Sequence, residues 1–307
     1  MFEMFENWSE QNKEAASSPS SSSSTTSYSS SSYSSNDSAI DDFSSRKTMV
    51  LSVGGSVFFQ ERPKTTAIAK FCETINSLVN EGYAFVIVVG GGKPARTYQA
   101  AAKSLGANNF ELDEVGIATT KLNALLFTYN IDLAWKDVLN EIKFARKALS
   151  FGRIPIFSGT VSGQTTDAVA ASIAEYLNCD FINLSNVDGI YASDPNKVQS
   201  TKMFDELTHT KMVSLLKAIA SKPGAHTFVD LQAASILSRS KIRSFFINGA
   251  DLENFKSLVR GQEFKGTTVV TESVSSPSTI TKTREVEMEE DPLEEEEKEI
   301  DPKDIDF

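Results

Sequence analysis

Histidine and cysteine are nearly missing from this chain, with two of each among 307 residues. Neither His209 nor His226 belongs to a Cys, His or carboxylate cluster with metal-ligand spacing, so no zinc centre and no protein-held metal site are expected. A triad hydrolase is excluded too, because its histidine must face a nucleophile elbow that this sequence does not contain. Cys72 and Cys179 stand far apart on apolar-flanked segments and read as reduced core thiols, not as a disulfide framework. No apolar run reaches the ~20 residues that span a bilayer, so no membrane partner is expected. The first residues carry Glu3, Glu6, Glu10 and Glu14 without a cationic-then-apolar pattern, which argues against a secretory signal or an Arg-rich transit peptide and for a cytoplasmic protein.

Charge is unevenly spread. Ser17 to Ser35 is almost all serine with scattered Thr and Tyr and offers nothing apolar to bury, so residues 1–47 are expected to form a disordered extension. Residues 272–307 hold 14 acids against 4 bases and read as a disordered acidic tail. The formal net charge of −11 therefore misleads, since residues 48–271 keep 20 acids and 23 bases, a net of +3. A slightly basic folded part suits an anionic small molecule and lacks the cationic stripe that nucleic acid demands. Its length fits one large α/β domain or two closely joined lobes.

Glycine carries the positive signal. Four glycine-bearing junctions follow short apolar runs: Gly54-Gly55-Ser56, Gly90-Gly91-Gly92-Lys93, Gly159-Thr160 running on to Thr165-Thr166-Asp167, and Asn186-Val187-Asp188-Gly189. Without a Cβ, successive N–H groups can turn inward and approach an anion, and a following helix adds its positive end. Lys93 and Arg96, in the first turn after the second junction, stand where phosphate oxygens would arrive. One such loop is an ordinary strand-to-helix turn more often than a ligand site; four in series are much harder to assign to chance.

Strands and helices alternate through the middle of the chain, which predicts a three-layer α/β/α sandwich with a mostly parallel central sheet. Strands are expected at 49–53, 83–89, 154–157, 180–184, 244–247 and 267–270. A helix from Pro94 to Leu105 places Ala95, Tyr98, Ala102 and Leu105 at helical spacing, and another from about Ile117 to Tyr129 carries Leu122, Leu125 and Leu126, with Asp113 just before it across a turn at Gly116. Further helices are read near Lys211 to Ala220, after a cap at Asp230, and from Leu252 to Val259.

At these residues the sequence resembles the amino-acid kinase superfamily, and within it the archaeal-type uridylate (UMP) kinases. The matching pieces are Val53-Gly54-Gly55-Ser56-Val57, Val89 to Arg96, Asp113 with Gly116-Ile117, Asn123-Ala124, Gly159 to Ala170, Asn186 to Tyr191 with Asp194-Pro195, the loop Pro223-Gly224 through Asp230, and Gly266-Thr267-Thr268. The likeness runs in order through residues 48–271 and leaves out both tails. It implies an enzyme that moves the γ-phosphoryl of ATP, with Mg2+, onto the phosphate of UMP in pyrimidine nucleotide synthesis, and a homo-hexamer. By position it implies that Gly55, Ser56, Gly92 and Arg96 contact ATP phosphates and that Ser185, Tyr191 and Asp194 line the adenosine pocket. UMP would be held by Gly91, Asp113 and the segment Gly159, Thr160, Val161, Ser162, Gly163, Gln164, Thr165 and Thr166, with Asp113 on the ribose hydroxyls. Lys93, Arg96 and Asp167 are the residues expected to carry transfer, Asp167 by orienting lysine and hydroxyl groups.

Two departures stand out. Many relatives carry a lysine where this chain has Ser52, so positive charge must come from Lys93, Arg96 and magnesium. Ser162 replaces a proline that often precedes Gly163, leaving that loop less stiff. Asp188 reads equally as a turn residue and Asp194 less so, Tyr191 reads equally as a packed aromatic, and Lys222 as a solvated cation. Two alternatives stay open at this point: a sister kinase acting on isopentenyl phosphate or a carboxylate, and a non-catalytic nucleotide- or oxyanion-binding storage or regulatory protein, which Ser52 favours.

Overall fold

The computed structural model describes residues 43–192, 201–220 and 227–271. Seven strands form one sheet: β1 (Lys47–Val53), β2 (Tyr83–Val89), β3 (Ile156–Phe157), β4 (Asp180–Ser185), β5 (Glu206–Thr208), β6 (Ser244–Asn248) and β7 (Thr267–Val270), in the spatial order β3-β2-β1-β4-β6-β7-β5. The five strands from β3 to β6 are parallel, while β7 runs antiparallel to β6 and pairs parallel with β5. Ala84 to Val89 are all fully buried, which explains why β2 is continuously apolar: both of its faces are covered.

The chain builds outward from β1 through β2 to β3, then returns to place β4 on the other side of β1. Right-handed crossovers send helices to opposite faces when that direction reverses. On one face, α2 (Thr65–Asn80), α4 (Asn109–Thr128) and α9 (Leu252–Val259) meet through phenylalanines, with Phe71 5.7 Å from Phe127 and 6.1 Å from Phe255 between ring centroids. Phe58, on the single turn α1 (Gly55–Phe58), joins the cluster at 5.3 Å from Phe71. The other face carries α6 (Thr166–Leu177), whose Ala168 to Ala171 are fully buried and let it lie close to the sheet, together with α7 (His209–Ala220) and α8 (Leu231–Arg239). The remaining helices are α3 (Gly92–Ser104), packed beside α4, and α5 (Phe144–Ser150).

Several elements depart from the expected pattern. No turn occurs at Gly116, because α4 starts with a capping box in which Asn108 and Glu111 exchange side-chain-to-backbone bonds, and it runs unbroken past Asp113. Gly116 is small because a Cβ there would sit 2.8 Å from Gln99 Nε2 on α3. The third strand is only Ile156–Phe157, since Pro155 lacks the N–H to extend the ladder and Ile154 makes an isolated bridge to Ala134. Tyr98 on α3 and Leu105 at its C-cap are 63% and 87% exposed, so their helical spacing does not face this chain's core. Packing against the core begins at Phe43, which is fully buried under the Arg46 guanidinium, and Arg46 also donates to Val79 O at 2.6 Å.

Candidate active site

Because β1, β2, β3 and β4 are parallel, their carboxyl ends lie on one sheet edge, and the switch in direction between β1 and β4 opens a crevice there. A cavity of about 790 Å³ occupies that edge. Gly54, Gly55 and Ser56 come to it from β1, Gly90, Gly91 and Gly92 from β2, Thr166 and Asp167 from the third junction, and Ser185, Asn186, Val187 and Gly189 from β4. All four junctions thus meet at one space, with the N-termini of α3 and α6 opening on it.

The first two loops touch backbone to backbone. A Cβ on Gly55 would lie 2.6 Å from Gly92 Cα, and Gly92 itself has φ +64° with Phe59 O 2.5 Å from where its Cβ would be. Gly54 N–H donates to Leu184 O at 2.8 Å and Gly90 N–H to Val53 O at 2.9 Å, so each turn is bonded to a neighbouring strand. Asn123, buried on α4, donates to Gly90 O at 2.9 Å and Gly91 O at 3.0 Å. The carbonyls of Gly90 and Gly91 are thereby occupied on the helix side.

Arg96 lines the cavity, whereas Lys93 does not: its ammonium pairs with Glu61 in the exposed loop ahead of α2. Asp167, in the first turn of α6, receives Ser52 Oγ at 2.5 Å and Asn183 Nδ2 at 3.0 Å, both on Oδ1. Burial pushes its carboxyl up to about 6, with Asp230 adding in the same direction and the bonds from Ser52 and Asn183 opposing. The expected lysine partner of Asp167 is thus replaced here by a hydroxyl and an amide.

The loop from Ser158 to Thr166 is held by side chains. Gly159 N–H donates to Thr120 Oγ1 at 2.9 Å, Gly163 N–H to Asp113 Oδ2 at 2.8 Å, and Ser162 Oγ to Glu114 Oε1 at 2.6 Å. Thr165 caps α6 by accepting from Ala168 N–H at 3.0 Å and donates to Asp230 Oδ2 at 2.5 Å, while Asp230 caps α8. Thr160, Val161 and Gln164 complete the turn, with Gln164 N–H bonded to Val161 O at 3.1 Å. Of this segment only Thr166 lines the cavity; Asp113 and residues 159–165 lie beyond its lining and join it through the loop.

On the far rim, Ser185 Oγ accepts from Val187 N–H at 3.3 Å, and Tyr191 is half-buried at the cavity wall with Phe228 and Ile219. Asp188 is tied to Lys265 at 2.6 Å and to Asn248 at 3.0 Å, and Lys265 holds its carboxyl below the usual range. Asp194, Lys222 and the loop at Pro223-Gly224 lie outside the described residues. Among the described residues no group of three metal-capable side chains occurs, and no helix is long and apolar enough to cross a membrane. Asn183, Thr120 and Phe228 were not singled out from the sequence, and Asn123 stood only among the matching pieces, with no role attached to it. For Asn183 the available signal was a polar residue inside an apolar strand; for Asn123, a carboxamide on the buried face of a helix.

The family described as Amino acid kinase family matches residues 47–248. The chain belongs to the amino acid kinase family. Among curated members it is 40% identical over 215 residues to a uridylate kinase of Archaeoglobus fulgidus, covering 70% of this chain and 96% of that protein. It is 38% identical over 224 residues to a uridylate kinase of Methanocaldococcus jannaschii, covering 71% and 99%. The crystal structure of the Archaeoglobus fulgidus uridylate kinase superposes with a TM-score of 0.65 at 38% identity, over 72% of this chain and 99% of that one. A UMP kinase structure from Bacillus anthracis, at 21% identity and a TM-score of 0.60, shares the amino acid kinase fold.

Proposed function

We propose that this amino acid kinase is a uridylate kinase, transferring the γ-phosphoryl group of ATP to UMP to give UDP and ADP in pyrimidine nucleotide synthesis. The observation that carries the reading is the convergence of three glycine-bearing turns, the N-termini of α3 and α6, and Arg96 on one cavity of about 790 Å³, with the third junction reaching it through Thr166 and Asp167. Phosphoryl transfer asks mainly for positioning and charge neutralisation, and inward-facing amides and a guanidinium supply both. Gly55, Ser56, Gly92 and Arg96 hold the ATP phosphates, with Lys93 released from Glu61 to join them, and Ser185, Tyr191 and Asp194 take the adenosine. Gly91, Asp113 and Gly159 through Thr166 hold UMP, with Asp113 giving up its bond to Gly163 to accept the ribose hydroxyls. Asp167 is the one carboxylate among the cavity's described lining residues, so magnesium fits as an ion arriving on the nucleotide, held mostly by phosphate oxygens and water and shielding their charge when bound.

The catalytic domain in this reading is the expected 48–271 extended back to Phe43, since Phe43, Arg46 and Lys47 already belong to the packed fold, and the cytoplasm is its compartment. The exposed Tyr98 of α3 and Leu105 at its C-cap, with Phe110 and Leu122 of α4, supply an apolar face for a second copy within a homo-hexamer. The deciding experiment offers purified protein magnesium-ATP with UMP, CMP, isopentenyl phosphate or no acceptor and follows ADP release. Preference for UMP is expected; preference for isopentenyl phosphate, or binding without turnover, would overturn the assignment. Sedimentation of the wild type and of Leu105→Glu checks the assembly, and a wild-type monomer would remove it.

A further inference from the structure

Two buried polar side chains sit at the switch point of the sheet without any need from the core. Ser52 on β1 and Asn183 on β4 are direct register partners and are 1% and 3% exposed, in strands whose other buried positions are mostly apolar. An apolar pair would fill the same space, and burying two polar groups costs free energy unless each finds a partner. Their shared partner is Asp167, and both bonds fall on the same oxygen, Oδ1, at 2.5 and 3.0 Å. Asp167 lines the cavity and begins the helix that follows the third glycine junction.

We propose that Ser52 and Asn183 are positioning residues for phosphoryl transfer: from adjacent strands they pin Oδ1 of Asp167 and so present its Oδ2 to the space between the donor and acceptor loops. This rests on the kinase reading above. An ionised oxygen there repels phosphate, so its use is to accept from hydrogen-bearing groups around the transferring phosphoryl, of which Arg96 is the cation lining the same cavity. A carboxylate free to turn would spend part of its time aimed elsewhere, and misaimed groups cost rate more than affinity. Two neutral donors anchor it without adding charge to the cavity floor. The charged group acting on Asp167 is then Asp230, ahead of α8, which opposes its ionisation, while Arg96 on α3 lines the same cavity.

The test measures steady-state kinetics of the full chain with magnesium-ATP and UMP from pH 5 to 9. Ser52→Ala is expected to lower kcat by about 10-fold with both KM values within about 2-fold. The acid limb of kcat should move to higher pH, because the lost hydroxyl favoured the ionised carboxylate. Ser52→Thr, which restores the hydroxyl, should recover kcat, and Asn183→Leu should reproduce the loss. If Ser52→Ala does not fold, Ser52→Cys, close in size and a weak donor, takes its place with the same expectation. Variants that lose thermal stability yet keep the wild-type kcat and acid limb would show a purely structural role and overturn this inference alone. A wild type that releases no ADP would overturn the functional reading and this inference with it.

Discussion

The two halves of the cavity are held in place by different means. On the side of β1 and β2, Gly54 to Ser56 and Gly90 to Gly92 pack main chain on main chain and bond to neighbouring strands. On the side of β3, residues 158–166 hang from the side chains of Asp113, Glu114, Thr120 and Asp230. Backbone contacts that tight admit one arrangement, whereas side-chain bonds can be exchanged for bonds to a ligand. The proposed kinase reading uses both: the fixed half as a cradle for the phosphates of the donor, and the half held by side chains as an acceptor loop that closes on its substrate and opens again.

The sharpest way to break this contrast is to add one methyl group on each side. Gly55→Ala places a Cβ 2.6 Å from Gly92 Cα, which no side-chain motion relieves. It is expected to cost ~3 kcal/mol or more of stability and to reduce kcat/KM at least ~100-fold. Gly163→Ala meets nothing within 4 Å and suffers only from its φ of +84°. It should cost ~1–2 kcal/mol and act mainly on the KM for UMP. Urea unfolding and steady-state kinetics of the two variants check the pair; equal losses would erase the distinction.

Asp167 stands where the two halves meet, and its burial has a measurable cost. Its folded-state value of about 6 lies above the ordinary 3.8, so its contribution to stability is present below about 3.8 and is lost as pH rises through about 6. Asp167→Asn is therefore expected to be more stable than the wild type at pH 8 by up to about 3 kcal/mol, with the gap closing towards pH 4, while turnover falls. Denaturation of both proteins at pH 8 and pH 4.5 measures this, and a gap independent of pH would contradict it. Comparable in size is Arg96→Ala, expected to lower kcat/KM by ~100-fold. Near-normal turnover would remove Arg96 from the site.

The cradle was readable in the sequence because its chemistry is main-chain chemistry, and glycine is the residue that leaves the main chain bare. Alternation of apolar runs with helices likewise gave the mostly parallel sheet, and β7 at 267–270 and α9 at 252–259 fall at the expected residues. The supports of the acceptor loop were not readable in the same way. Asp113 was placed across a turn that does not exist, because Gly116 signals a turn on its own and only the contact with Gln99 shows that it answers to helix packing. Asn123 reaches back 32 residues to hold Gly91 O, and Thr120 reaches forward 39 to hold Gly159 N–H, separations at which no local pattern operates. Ser52 looked like a loss of charge in one dimension; in three it is half of a pair with Asn183. The exposed Tyr98 and Leu105 follow from the same limit, since helical spacing gives a face but not what covers it.

The smallest expected effect falls on the exchangeable side of the comparison. Asp113 accepts from Gly163 N–H at 2.8 Å from a helix that its own side chain does not support, so its loss should leave folding stability within about 0.5 kcal/mol of the wild type. If its carboxylate also receives the ribose hydroxyls, Asp113→Ala should raise the KM for UMP about 10-fold, leaving kcat and the KM for ATP within about 2-fold. Asp113→Asn keeps an oxygen for Gly163 N–H but loses the charge that favours hydroxyl donors, so its KM should fall between those of the wild type and the alanine variant. An unchanged KM for UMP in Asp113→Ala would move the ribose elsewhere. A rise in KM that Asp113→Asn fully repairs would assign the residue to latching the loop rather than to reading the sugar.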